Sequence, residues 1–130
     1  MLELKEVRDL FETILQDVDY NVLYSSKMAD KENNSIGIYN SKTAPNYLSS
    51  IGADTSYSIK PITILIHGTK SPVATEVLAN DVYLAIKEAN LEGTSIQRLD
   101  LVYETPVDVG TDDSGVYEYT INLNIYYERS

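Results

Sequence analysis

Leu4, Val7, Phe11, Ile14, Leu15 and Val18 recur at three- and four-residue spacing, and Glu6, Arg8, Asp9 and Glu12 fill the positions between them. That period predicts an amphipathic helix of about four turns packed on a sheet. The pattern then changes. Tyr20, Val22 and Tyr24 alternate with Asn21 and Leu23, which predicts a strand. A polar, turn-like stretch over 28–34 leads into a short strand, Ser35 to Tyr39. Together these two strands read as an antiparallel hairpin with a long tip. Residues 40–58 are rich in Ser, Thr, Asn, Gly and Pro and show no period. Irregular segments of that length in a small domain are uncommon and tend to carry a function. Within it Tyr47, Leu48 and Ile51 are apolar enough to dock on a partner or on the chain's own core.

The run from Lys60 to Gly68 is nearly continuous in β-branched residues, as expected of a strand buried on both faces. Ser71-Pro72 then offers a helix N-cap followed by proline at the first helical position. Ala74, Val77, Leu78, Val82, Ala85, Ile86 and Ala89 mark a second helix that ends near Gly93. Ile96, Leu99, Leu101 and Tyr103 form a further strand closed by Pro106, and the slip in alternation between Ile96 and Leu99 predicts a bulge. The final strand alternates most clearly. Tyr117, Tyr119, Ile121, Leu123, Ile125 and Tyr127 face one way, and Glu118, Thr120, Asn122, Asn124 and Tyr126 the other. The order is α-β-β-β-α-β-β. The expected fold is α+β: a mostly antiparallel sheet with two helices packed on one face, in a single domain over residues 1–130.

Composition narrows the function. The chain has 130 residues, enough for one domain with a real core. Twenty acidic and ten basic side chains give a formal charge of −10, which repels nucleic-acid phosphates and anionic lipid. No run of some twenty apolar residues suggests a membrane span, and no basic-then-apolar leader opens the sequence. The expected setting is a cytoplasm, or release from one by lysis. With no cysteine, disulfides, thiolate metal sites and cysteine nucleophiles are excluded. Eleven tyrosines, one phenylalanine and no tryptophan form an unusual aromatic set, suited to half-buried sheet faces and interfaces.

Candidate chemistry is sparse. His67 is the sole histidine, and Ser71 lies four residues on. No Gly-x-Ser-x-Gly elbow accompanies them, so His67 reads as a structural histidine rather than part of a triad. One histidine without cysteine argues against zinc. Residues 67–71 (HGTKS) resemble an anion nest but lack P-loop spacing, and a capped strand-to-helix turn is the preferred reading. Asp108 to Gly115 concentrates carboxylates and hydroxyls that could hold a hard cation such as calcium. EF-hand spacing is not met, and the same residues build turns, so a hairpin turn before the last strand is preferred.

Three stretches carry a resemblance: residues 34–40 (NSIGIYN), 60–68 (KPITILIHG), and above all 106–119 (PVDVGTDDSGVYEY) running into 125–129 (IYYER). They are similar to a family of phage minor capsid, tail terminator or neck proteins from siphophages and prophages of low-GC Gram-positive bacteria. The resemblance implies a structural virion protein. It would form a ring, hexameric in the family, that caps the tail tube, stops its growth and joins the tube to the head. The implied partners are further copies of the chain, the tail tube protein and the head–tail connector, with DNA passing through the ring without specific binding. The implied location is the virion tail or neck, with assembly in the host cytoplasm. Asp108, Gly110, Thr111, Asp112, Gly115, Tyr117, Glu118 and Tyr119 would shape a hairpin rather than a catalytic site. No catalytic residue, cofactor or metal is expected. The interface candidates are Tyr47, Leu48, Ile51, Tyr57, Asp108, Thr111, Asp112, Asp113, Tyr117 and Tyr126. Two other readings stay open: a non-catalytic adaptor binding one protein partner through residues 40–58, and a divalent-cation-binding enzyme using residues 108–115.

Overall fold

The alternation over 117–127 becomes the longest strand of the structure and the one around which the others are arranged. The computed structural model describes residues 2–25, 32–41 and 57–128. Eight elements follow in order: α1 (Leu4–Ile14), β1 (Val22–Ser25), β2 (Ser35–Asn40), β3 (Tyr57–His67), α2 (Pro72–Lys87), β4 (Ile96–Leu101), β5 (Val107–Thr111) and β6 (Tyr117–Glu128). The sheet runs β1-β2-β3-β6-β4, with β5 also on β6. β3 pairs with β6 along its length, from Tyr57↔Glu128 to His67↔Glu118. On the other flank of β6, β4 covers Leu123 to Tyr127 and β5 covers Tyr117 to Thr120, so the two short strands lie end to end.

The expected α+β class is borne out, with two helices and a mostly antiparallel sheet. Ile62, Ile64 and Ile66 of β3 share a face with Ile36 and Ile38 of β2 and with Ile121, Leu123 and Ile125 of β6. Val7, Phe11 and Leu15 from the α1 side, and Leu78, Ala79, Val82 and Ile86 of α2, join them in one core. Both helices therefore cover the same face. At the start of α1, Glu3 N–H donates to the Glu6 carboxylate at 3.1 Å, which satisfies one of the unpaired donors at a helix start. Arg8 Nε donates to the Leu23 carbonyl at 3.2 Å and ties α1 to β1.

Several expectations need correction. α1 ends at Ile14, about a turn early. Asp17 and Asp19 follow, and carboxylates at a helix C-terminus oppose its dipole. Leu15 and Val18 still pack on the core from the turn beyond. β1 and β2 pair in parallel, Val22↔Ser35 to Ser25↔Ile38, not as an antiparallel hairpin. A four-residue strand is only about 13 Å long, so the nine residues between the strands have ample reach to return past it. From Ile62 to Ile66 β3 is fully buried along one face, whereas on the other Pro61, Thr63 and Leu65 are half-buried and only its end, at His67, is buried. There Thr63 Oγ1 donates to Asn122 Oδ1 at 2.7 Å. Residues 107–111, read as turn, form an additional strand. The bulge expected early in β4 is present, between Ile96 and Arg98.

Candidate functional site

The 107–120 segment is a hairpin whose shape is set by its own side chains. Asp112 Oδ1 accepts from the backbone N–H groups of Ser114 (2.9 Å) and Val116 (3.0 Å). Asp112 N–H donates to the Val116 carbonyl at 2.9 Å, and Gly115 turns the chain at φ 84°, a conformation glycine adopts without steric cost. A second irregularity lies between Asp108 and Gly110. Gly110 has φ 91°, and its N–H donates to Asp108 Oδ1 at 2.8 Å. Asp108, Thr111 and Asp113 are exposed, whereas Asp112 and Tyr117 are partly buried. These are the turn chemistries of Asp and Gly.

The hairpin docks on the end of β3. Gly68 N–H donates to the Tyr117 carbonyl at 3.0 Å, and Tyr117 N–H donates to the Thr69 carbonyl at 2.9 Å. The adjoining turn is a capped helix start, as the sequence predicts: Ser71 Oγ accepts from Ala74 N–H at 3.1 Å. Thr75 Oγ1, fully buried, accepts from Thr69 N–H at 3.0 Å and donates back to the Ser71 carbonyl at 2.9 Å.

His67 sits at this junction, 2% exposed. Its Nδ1 lies 2.8 Å from Glu118 Oε2 and 3.8 Å from Asp112 Oδ2. An ionised carboxylate can only accept, so Nδ1 carries the proton in that hydrogen bond. No serine approaches His67 as a nucleophile among the hydrogen bonds of the described residues, so the structural reading of this histidine fits the geometry.

Tyr57 and Tyr126 meet at the far end of the sheet. Their ring centroids are 5.6 Å apart, and the Arg98 guanidinium lies 4.2 Å over the Tyr126 ring. Hydrogen bonding to the Tyr126 side chain pushes the Arg98 pKa up further. Tyr117 and Tyr126 are nine residues apart on β6, or roughly 30 Å, so the sequence-chosen residues fall into two separate groups. Tyr47, Leu48 and Ile51 lie outside the described residues.

Exposed apolar groups add two surfaces that the sequence reading passed over. Val73, Val77 and Leu84 of α2 are 70%, 55% and 49% exposed. At 100° per residue they form one stripe directly opposite Thr75, Ala79, Val82 and Ile86, which face the core. Val102, Tyr103 and Val109, each about half exposed, lie along the β4–β5 flank of the sheet. The helix pattern of the sequence includes Val77 without setting it apart from the core-facing positions. Its solvent-facing position could have been read from its phase relative to Leu78 and Val82.

Among the described residues no helix is long and apolar enough to cross a membrane. The family model described as bacteriophage tail terminator protein matches residues 9–129. No curated protein sequence matches the chain. Among solved structures, that of the bacteriophage SPP1 gp17 protein is similar with a TM-score of 0.58, at 16% identity, over 96% of this chain and 91% of that one.

Proposed function

This chain belongs to the bacteriophage tail terminator family, a structural part of the phage tail, and we propose that it acts there as a ring that caps the tail tube and joins it to the head. The observation that carries the ring is the pair of exposed apolar surfaces on different elements. A closed ring is built from head-to-tail contacts, which need two distinct patches on each subunit. The Val73–Val77–Leu84 stripe on α2 and the Val102–Tyr103–Val109 flank meet that requirement. In the ring one subunit's stripe packs on its neighbour's flank, and the family expectation is six copies. The tail tube protein and the head–tail connector then bind the two ends, and assembly takes place in the host cytoplasm before the protein enters the virion.

The two groups on β6 suit those ends. Tyr57, Arg98 and Tyr126 form an aromatic, cationic platform at one end of the sheet, of the kind enriched in interfaces. The hairpin, with Asp108, Thr111, Asp113 and Tyr117, lies at the other. Asp112 contributes through the turn it holds. Exposed Asp108 and Asp113 on the lumen would repel passing DNA and keep it from adsorbing. A ring structure with these acids on its outer wall would refute the lumen assignment. The role is mechanical, with no catalytic step.

Electron microscopy and light scattering of the purified chain test the ring. The expected result is a closed ring that Leu84→Glu and Tyr103→Glu each disperse to monomers, with melting temperatures near that of the parent. A parent that stays monomeric at every concentration and salt, alone and on tail tubes, overturns the proposal.

A further inference from the structure

We propose that His67, Asp112 and Glu118 bind one divalent transition-metal cation, with Zn²⁺ the best-matched ion, and that this cation fastens the hairpin to the end of β3. Three elements converge on the site. His67 ends β3, Glu118 is its register partner on β6, and Asp112 belongs to the turn between β5 and β6. One ligand atom from each residue, taken pairwise, lies within 4.8 Å of the other two. Bonds of 2.0–2.1 Å to a tetrahedral zinc place ligands about 3.3–3.4 Å apart. The observed 2.8 Å and 3.8 Å from His67 Nδ1 straddle that edge length, and the third edge, between the two carboxylates, lies within 4.8 Å, so the carboxylates close on the ion as it binds.

The donor set and its support fit this ion class. One imidazole with two carboxylates suits a borderline cation better than calcium or magnesium, which prefer oxygen alone. Asp112 is aimed by its Oδ1, which accepts two backbone N–H groups and leaves Oδ2 toward His67. Such outer hydrogen bonds orient metal ligands. With a neutral imidazole the three ligands carry two negative charges, which attract a cation to this position. The cation binds Nδ1 of the tautomer whose single proton sits on Nε2, so the proton moves from Nδ1 to Nε2 through solvent as the ion enters.

A second observation concerns the other flank of His67. Ser35 is the register partner of His67 across β2 and β3, so the two side chains leave the same face of the sheet as neighbours. Ser35 Oγ is buried and has no hydrogen-bond partner. A buried unsatisfied hydroxyl signals an unseen water or ion. A tetrahedral cation on these three ligands carries one water in its fourth position. The water reaches the site through an open cleft walled by Asn33, Lys70, Asp113 and Ser114. Among the described residues of that wall Lys70 brings an opposing charge, and Asp113 offsets it.

Chelator-treated full-length protein titrated with ZnCl₂ by calorimetry near neutral pH tests this. The expected result is one ion per chain, a rise in melting temperature of roughly 5–15 °C at a hundredfold excess over Kd, and weaker binding in acid, where protons compete for Nδ1. Glu118→Gln and Asp112→Asn keep size and, for Asp112, the Oδ1 acceptor. Each should lower affinity at least as much as the roughly 10–100-fold loss seen on removing outer partners, with folding checked by circular dichroism without metal. Asp113→Asn should bind as the parent does. No saturable binding to the parent overturns the proposal, whatever the variants do. Parent-like binding by folded Glu118→Gln or Asp112→Asn overturns it as well. The ring can be present in either case, so the two proposals fail separately.

Discussion

Gly68→Ala should be among the most damaging single-methyl additions available to this protein. A Cβ built at Gly68 falls 2.3 Å from Thr75 Oγ1, 2.4 Å from Thr75 Cγ2 and 2.7 Å from Thr75 Cβ. Carbon atoms pack at about 3.5–4.0 Å, so the overlap exceeds 1 Å. Rotating Thr75 does not clear it, because Thr75 Cβ is fixed to the α2 backbone. The end of β3 must therefore move away from the first turn of α2. Overpacking of this kind costs about 1–3 kcal/mol. The shift also strains the Thr75 hydroxyl bonds to Thr69 and Ser71, and a buried polar group left unsatisfied costs about 1–3 kcal/mol more. The expected total is roughly 2–6 kcal/mol, a fall in melting temperature of the order of 10–20 °C for a domain of this size. Urea unfolding of Gly68→Ala, Thr75→Ala and the double variant measures it. Because Thr75→Ala removes two of the three clashing atoms, the double variant should be more stable than the sum of the single losses by at least 1 kcal/mol. A Gly68→Ala protein within 0.5 kcal/mol of the parent, or strictly additive losses, refutes the reasoning.

Three further outcomes follow from the same structure. Ser71→Ala removes the acceptor for Ala74 N–H and should cost about 1 kcal/mol, read as a lower urea midpoint; an unchanged midpoint would show that the cap is redundant. Burial, then Glu12, raises the Tyr20 pKa, and burial, then Asp108 and Glu76, raises that of Tyr119. A phenol with a raised folded pKa contributes stability that is complete below its ordinary value and lost as pH climbs past it, so the urea midpoint should fall above about pH 10. Tyr20→Phe and Tyr119→Phe should flatten that fall, and a midpoint constant to pH 11 contradicts it. Finally, each subunit carries a formal charge of −10, so ring formation should strengthen with salt as the Debye length drops from about 30 Å at 0.01 M to about 8 Å at 0.15 M. Scattering that shows dissociation on adding salt would mean that ion pairs, rather than apolar patches, hold the ring.

Local signals in the sequence survived into the structure where a single element decides them. Alternation fixed the inward face of β6, Ser71-Pro72 fixed the start of α2, and the slip after Ile96 marked a bulge. Features that depend on two distant segments meeting were not legible. The parallel pairing of β1 with β2 depends on the path between them, which hydrophobic period does not encode. β5 alternates too weakly to be seen, since Asp108, Val109 and Gly110 are all exposed and only pairing with β6 makes it a strand. The meeting of His67 with Glu118 depends on the β3–β6 register across 51 positions. His67 could be recognised as structural from its strand, but not as one of three convergent ligands. The Tyr57–Tyr126 contact has the same origin.

The central place of β6 has a consequence for how the protein is made. Among the described strands β4 and β5 bond only to β6, so that partner is missing until residues 117–128 have been synthesised. β3 meanwhile offers one long unpaired edge. A ribosome adding about 5–20 residues per second holds the nascent chain in that half-zipped state for seconds, and completion comes with a single strand sliding between the others. A chain cut short before β6 is left with an open sheet edge, prone to aggregation and proteolysis. Only finished subunits are then available to be counted into a particle.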